Sequence, residues 1–334
     1  MTTRHLDARN PEQRQQAITL LASGAVVAVP TETVYGLAAD ASNPAAIARI
    51  FSAKGRPSGH PLIVHIHDAG QLPRWANSIP EQAWRVAEKF WPGPLTLILP
   101  RHASVSPAIT GGLGSVALRV PGHRVLRDIL KTLDTGLAAP SANPYQGLSP
   151  TRAEHVLAGL AGRIDAVLDD GPCEVGLEST ILDLTGDTPR LVRPGPITRE
   201  ALEVVLQQSI ENDSGQTAAP GNELIHYRPR TRACRVSGEK IAATLAWCQQ
   251  QGLQAGVISY SDLSPELDRL PALYQLICLP ADKAGYARQL YHAMHELDGT
   301  QADIILVQTP PIESEWSDVM NRLQKATDLL SSIT

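Results

Sequence analysis

Two short polar triplets, Lys54-Gly55-Arg56 and Ser141-Ala142-Asn143, stand at the ends of apolar runs, each followed by proline. Two cations and two small hydrogen-bonding side chains so placed suit a pocket for a multiply charged anion, and a phosphorylated substrate is the first candidate. Arg119 interrupts the run VALRVP, which is otherwise built for burial, so its guanidinium needs a carboxylate or phosphate partner to offset desolvation. Either a bound ligand or an internal salt bridge supplies that partner. The segment 30–37, PTETVYGL, packs two hydroxyls, a carboxylate and a phenol into a turn-prone stretch, and His65 lies inside the apolar run LIVHI, as a core histidine or as a ligand contact.

Each motif alone has a plainer reading. Lys54 and Arg56 can cap the last turn of a helix, where cations are favourable. Ser141 and Asn143 can form a turn ahead of Pro144. Glu178-Ser179-Thr180 and Arg193-Pro194-Gly195 stand at the ends of a hairpin turning at Gly186-Asp187. Several common catalytic signatures are missing: there is no Walker A sequence, GxGxxG, GxSxG or HExxH. That argues against a protein nucleophile and leaves polar positions at strand ends, where open α/β sheets bind ligands.

The elements that position these residues alternate along the chain. Short apolar runs at 25–30, 62–66, 95–100, 116–121, 136–140, 166–168 and 180–184 predict strands. Helix periodicity appears at 44–52, 80–90, 124–133, 152–160 and 199–207, with Asn43-Pro44 and Ser149-Pro150-Thr151 as helix starts. A polar stretch, 209–232, then separates a second set: strands at 233–236, 255–260, 276–280 and 303–308, and helices at 238–251, 282–297 and 313–330. This predicts a first domain over 1–208, a linker or functional segment over 209–232, and a smaller α/β domain with a parallel sheet over 233–334.

Composition agrees with a folded chain of 334 residues, 43% hydrophobic and 19% charged, and two Phe point to an interior built from Val, Leu and Ala. The first 16 residues lack the apolar core of a signal peptide and no stretch is long enough to span a membrane, so a cytoplasmic protein is expected. Cys173, Cys234, Cys248 and Cys278 are scattered and read as buried free thiols rather than as a zinc site or disulfides. Residues 1–210 hold 19 Lys+Arg against 19 Asp+Glu and residues 211–334 hold 10 against 15, which disfavours tight nucleic-acid binding through bulk charge.

Taken in order, PTETVYGL, KGRPSGHPLIVHI, FWPGPLTLILP, VALRVP, APSAN, GLESTI and LVRPGP resemble the Sua5/YrdC/YciO family over residues 13–210, and closely its Sua5 branch, the threonylcarbamoyl-AMP synthases. The trailing PGNELIHYRP and the extra domain are similar to the Sua5 form. The resemblance implies a twisted mixed sheet with a large open cavity, plus a Rossmann-like second domain. It implies synthesis of L-threonylcarbamoyladenylate from L-threonine, bicarbonate or CO2, and ATP, with Mg²⁺ accompanying the nucleotide, no organic cofactor and no metal held by protein side chains. The product feeds threonylcarbamoylation of adenosine 37 in tRNAs reading ANN codons, completed by a separate transferase complex.

Position by position, the resemblance assigns Thr33, His65, Arg119 and Ser179 to threonine, with Ala139 leaving room nearby. It assigns Arg56, Ser115, Ser141, Ser149 and Arg193 to ATP, with Lys54 and Asn143 completing the KxR and SxN signature. Tyr227 corresponds to a residue folding back over the nucleotide, and because a mixed anhydride is water-labile, 209–232 is expected to close over it as a lid. His60 stands at a nucleotide position where many relatives have Asn, and Ala39 where many have Gly. The competing reading is an RNA-binding module, with weak tRNA contact through a basic rim and no adenylate synthesis.

Overall fold

Period-two alternation in the short apolar runs has a direct structural consequence. In β2 (Val27–Val29), Val27 and Val29 enter one apolar cluster while Ala28 enters another; in β3 (Gly36–Asp40), Ala38 joins the first and Leu37 and Ala39 the second. The sheet is therefore buried on both faces, which is why its strands read as near-continuous apolar runs.

The computed structural model describes residues 2–213, 217, 226–261, 263 and 273–329. The chain divides into one unit of Met1–Tyr145, Ser149–Glu174 and Glu178–Asn222, and another of Gln146–Leu148, Val175–Leu177 and Glu223–Thr334. In the first unit, the remaining strands are β1 (Arg4–Asp7), β4 (Ile63–His65), β5 (Leu95–Pro100), β6 (Ser115–Arg119), β7 (Leu137–Ala138), β8 (Ala166–Asp169), β9 (Thr180–Asp183), β10 (Arg190–Arg193) and β11 (Glu211–Asn212). Among the described residues they form one large mixed sheet in the order β1-β8-β2-β3-β7-β4-β6-β5-β9-β10-β11.

The predicted hairpin is present, with β9 antiparallel to β10. Strands β1 and β3 and the helix α1 (Pro11–Ala22) were not legible as elements. β1 carries one apolar residue, Leu6; α1 buries just Ala17 and Leu21; and β3 is a run of small residues behind a polar turn. The helix α2 (Pro44–Lys54) begins as predicted: Asn43 accepts from the N–H groups of Ala45 and Ala46, with Pro44 in the first turn. The helix expected from Ser149-Pro150-Thr151 starts later, at Ala153. β11 pairs in parallel with β10, so the sheet extends into the stretch read as a linker. Residues 214–216 and 218–225, where the expected lid lies, are outside the described residues.

The second unit has a parallel sheet of β12 (Arg232–Val236), β13 (Ala255–Ser259), β14 (Leu273–Cys278), β15 (Ile304–Gln308) and β16 (Asp328–Leu329), ordered β14-β13-β15-β12-β16. Helices Ile241–Gln250, Lys283–Asp298 and Ser317–Ala326 accompany it. The last helix stops at Ala326 rather than continuing to 330, because Thr327 turns extended and the next two residues pair with β12. Cys173, Cys234 and Cys248 are buried free thiols, whereas Cys278 is exposed at the end of an incompletely covered strand, which corrects the expectation for that residue. Among the described residues no helix is long and apolar enough to cross a membrane.

His65 ends β4 in register with Arg119 on the parallel neighbour β6 and is 3% exposed. Burial, then the Arg119 charge, lowers its pKa from 6.5 to about 3, so the imidazole is neutral at physiological pH. Because its folded pKa lies below its unfolded value, its contribution to stability is complete above pH 6.5 and is lost as pH falls towards 3. Within that window the group costs roughly 1.4 kcal/mol per pH unit. His65→Asn should flatten the decline, checked by denaturant midpoints at pH 7, 6 and 5; equal slopes in both proteins would assign the titration elsewhere.

Candidate active site

The end of α2 brings the two polar triplets together. Gly55 adopts φ +64°, the left-handed conformation that ends a helix, and the Arg56 N–H donates back to the Phe51 carbonyl at 3.0 Å. Lys54 is thereby the last helical residue, but its side chain does not simply cap the helix. Its Nζ donates to the carbonyls of Ser141 and Asn143, both at 2.6 Å, while the Tyr145 N–H donates to the Lys54 carbonyl at 2.8 Å. Burial, then the neighbouring Arg56 charge, pushes the Lys54 pKa well below the usual lysine range. Arg56, also buried, donates from Nη2 to the Pro61 carbonyl at 3.2 Å, and the His60 ring meets the Tyr145 ring edge-on at 5.7 Å.

The 141–143 segment is fixed from its other side by β3. Leu37 N–H donates to the Pro140 carbonyl at 2.6 Å and Ala142 N–H to the Tyr35 carbonyl at 2.8 Å, with Gly36 bridging to Ser141. A β-carbon on Gly36 would lie 3.1 Å from that of Ala139, so glycine permits the close approach. Tyr35 in turn donates its hydroxyl to the Gly171 carbonyl at 2.7 Å.

The loop between β2 and β3 reaches a second cluster. Thr31 Oγ1 accepts from the N–H groups of Thr33 and Val34 at 3.0 and 3.1 Å, which curls the loop. Arg119 Nη1 then donates to Thr33 Oγ1 at 3.0 Å, its Nε to the Gly93 carbonyl at 3.2 Å, and its Nη2 lies 2.6 Å from Glu32 Oε1. The internal partner raised by the sequence is thus present, and it is Glu32. Burial by itself would raise the Glu32 carboxyl, but the Arg119 guanidinium and the Gly122 N–H outweigh it and hold the group below the usual carboxylate range.

Strand polarity places a third cluster on the same edge of the sheet as Arg119. β5 runs antiparallel to β6, β9 parallel to β5, and β10 antiparallel to β9, so the end of β6 faces the starts of β5 and β9 and the end of β10. There Arg193 donates from Nε and Nη2 to the Ser179 carbonyl at 3.0 and 2.9 Å and from Nη2 to its hydroxyl at 3.2 Å. Thr96 Oγ1 and Ser179 Oγ are 2.7 Å apart. Gly195 lets the strands close, since a β-carbon there would meet the Thr180 nitrogen at 2.3 Å. Ser149 donates to Glu178 Oε1 at 2.5 Å.

Of the residues singled out by sequence, the fold joins Lys54 to the Ser141 and Asn143 carbonyls, Thr33 to Arg119 beside His65, and Ser179 to Arg193. Ser115 opens β6 opposite Pro100. Tyr227 belongs to the second unit, where it is buried at φ +61° with its ring 5.9 Å from that of Tyr291 and under the Arg322 guanidinium. Three residues given no role by sequence enter these networks: Glu32, Thr96 and Glu178. For Glu32 a signal existed, since a carboxylate set between two buried threonines and an arginine inside a strand are complementary demands.

Two family models match consecutive parts of the chain. A family model described as "Telomere recombination", grouping Sua5, YciO and YrdC, matches residues 19–195, and one described as the C-terminal domain of threonylcarbamoyl-AMP synthase matches 197–327. The threonylcarbamoyl-AMP synthase of Bacillus subtilis is 39% identical over 95% of this chain and 93% of its own, and that of Pyrococcus abyssi 38% identical over 93% of each. The crystal structure of P. abyssi Sua5 complexed with L-threonine superposes with a TM-score of 0.91 at 35% identity, covering 98% of both chains. Escherichia coli YciO, at 24% identity and a TM-score of 0.52, shares the fold over 58% of this chain. With one model on the residues that carry the KGR and SAN motifs and the other on the segment that follows them, the chain belongs to the Sua5/YciO/YrdC family, in its Sua5 branch.

Proposed function

We propose that this chain synthesises L-threonylcarbamoyladenylate from L-threonine, bicarbonate or CO2, and ATP, releasing pyrophosphate, as the first step of threonylcarbamoyladenosine formation in tRNA. The observation that supports the reading is the Lys54 bridge, which holds two polar motifs distant in sequence side by side in a chain whose full-length relatives are named threonylcarbamoyl-AMP synthases. The Sua5 of P. abyssi, similar over nearly its whole length, binds L-threonine.

The chemistry needs no protein nucleophile. The threonine amine adds to carbon dioxide and loses a proton, giving a carbamate. A carbamate oxygen then bonds to the α-phosphorus of ATP as the bond to the bridging oxygen breaks, and pyrophosphate leaves with that electron pair. The protein supplies position and charge. In this proposal Arg119, Thr33, His65 and Ser179 form the amino-acid side, with Ala139 leaving room, while Arg56, His60, Ser115, Ser141, Ser149 and Arg193 face ATP, which arrives as its Mg²⁺ complex. Tyr227 is retained as a nucleotide contact. Lys54, with its donors directed at two backbone carbonyls, acts by holding the 141–143 loop. A neutral His65 suits a pocket that needs a hydrogen bond without further positive charge.

A cytoplasmic location and hand-over of the adenylate to a tRNA threonylcarbamoyl transferase complete the proposal. An RNA-binding module without turnover is the weaker reading, because the first 210 residues balance 19 cations with 19 anions.

Incubation with ATP, Mg²⁺, bicarbonate and each amino acid in turn should release pyrophosphate and a mass-detectable adenylate with threonine; tRNA binding with no turnover on any amino acid would select the RNA reading. Arg56→Ala should weaken ATP binding about 10- to 100-fold, the loss of one or two charge-assisted hydrogen bonds, with threonine affinity nearly unchanged. Calorimetry on each ligand separately measures both, and equal losses would show a folding defect instead.

A further inference from the structure

The amino-acid cluster holds a carboxylate for which the reaction supplies no step. Glu32 is 6% exposed, and its Oε1 lies 2.6 Å from Nη2 of Arg119, itself 3% exposed. The same guanidinium fixes the Thr33 hydroxyl and the Gly93 carbonyl, so the carboxylate, the guanidinium and the hydroxyl form one connected unit. Gly122 packs directly against the carboxylate: a β-carbon there would lie 3.1 Å from both Cδ and Oε1 of Glu32. His65, in register with Arg119, is neutral, which leaves Glu32 and Arg119 as a charge-balanced pair.

Charge balance has a consequence for binding. A lone buried arginine attracts any carboxylate. An arginine already matched by a carboxylate presents a dipole, and the complementary small ligand carries both charges, as the zwitterion of an α-amino acid does. An acid of the same shape without the ammonium group adds a second negative charge to a site that has already spent its positive one. The desolvated setting magnifies that penalty.

Building on the proposed threonine-dependent reaction, we infer that Glu32 is a positioning and charge-selecting residue: it holds the Arg119 fork and the Thr33 hydroxyl in place and makes the pocket select zwitterionic amino acids over the corresponding acids without the amine. It does not act as the base that deprotonates threonine. Its role is exerted through Arg119 and through the net charge of the pocket.

The test compares wild type, Glu32→Gln, Glu32→Asp and Gly122→Ala, measuring KM for threonine and for ATP and the calorimetric affinity for threonine and for 3-hydroxybutyrate, which is threonine without its amine. Glu32→Gln should raise the threonine KM at least tenfold, leave the ATP KM within twofold, and narrow the threonine preference over 3-hydroxybutyrate at least tenfold. Glu32→Asp, which keeps the charge, should retain the preference. Gly122→Ala displaces the carboxylate without removing it and should raise the threonine KM several-fold with the ATP KM unchanged, so the test stands even where Glu32→Gln fails to fold. Wild-type preference and wild-type threonine KM in Glu32→Gln, or no change in Gly122→Ala, would overturn the inference. A wild-type protein that forms no adenylate with threonine overturns the proposed function itself, whereas a competent wild type with indifferent variants removes the role of Glu32 alone.

Discussion

The Lys54 amine, buried and 2.6 Å from each of two backbone carbonyls, sets the geometry of the first unit's site. A buried amine is costly unless its donors are met, and the two carbonyls that meet them belong to residues 87 and 89 positions further along. The two carbonyls in turn each gain a hydrogen bond from the amine. Because two donors suffice for two carbonyls, the bridge survives the lowered pKa of Lys54 in either protonation state. With the backbone bonds of Tyr145, Leu37 and Ala142, this tie joins the helix end, the 141–143 loop and the start of β3.

Much of the fold was legible because the sheet is buried on both faces. A strand covered on two sides must be apolar throughout, so β2, β4, β5, β6 and β9 announce themselves as short apolar runs between Gly, Pro and polar residues. Where that condition fails, so does the reading. β1 is an edge strand with Arg4 and His5 exposed, and it exists because β8 offers it a parallel ladder, which no local pattern reveals. β16 is two residues long and read as the end of a helix; its strand state is imposed by pairing with β12. Tertiary pairing, rather than propensity, decides such segments.

The site was legible as composition and illegible as connectivity. Lys54, Arg119, Ser141, Asn143 and Arg193 stand out because polar residues inside or beside apolar runs require partners. Which partner each finds depends on registers and loops that sequence does not display. Arg119 pairs with Glu32 because Thr31 curls the loop between β2 and β3 and because β6 ends in register with β4. Arg193 reaches Ser179 because β9 and β10 are antiparallel with a register shift between Leu191 and Arg193. Tyr227, assigned to the nucleotide by resemblance, is buried among Tyr291 and Arg322 of the second unit, an environment that a polar linker motif does not suggest.

A reaction in which the substrate is its own nucleophile places unusual demands on a protein. No side chain has to be activated, so pKa tuning serves a different end: here it fixes charge states rather than poising a base. Glu32 is kept ionised by Arg119 and the Gly122 N–H, and His65 is kept neutral by burial and by the same arginine. Around Arg119 lie one matched pair and one neutral donor-acceptor ring. Such an arrangement can tell a zwitterion from an anion before any bond is made. A nucleophile that forms only from the correct amino acid needs that discrimination at the binding step, since a carboxylate lacking the amine can occupy the site but never form the carbamate.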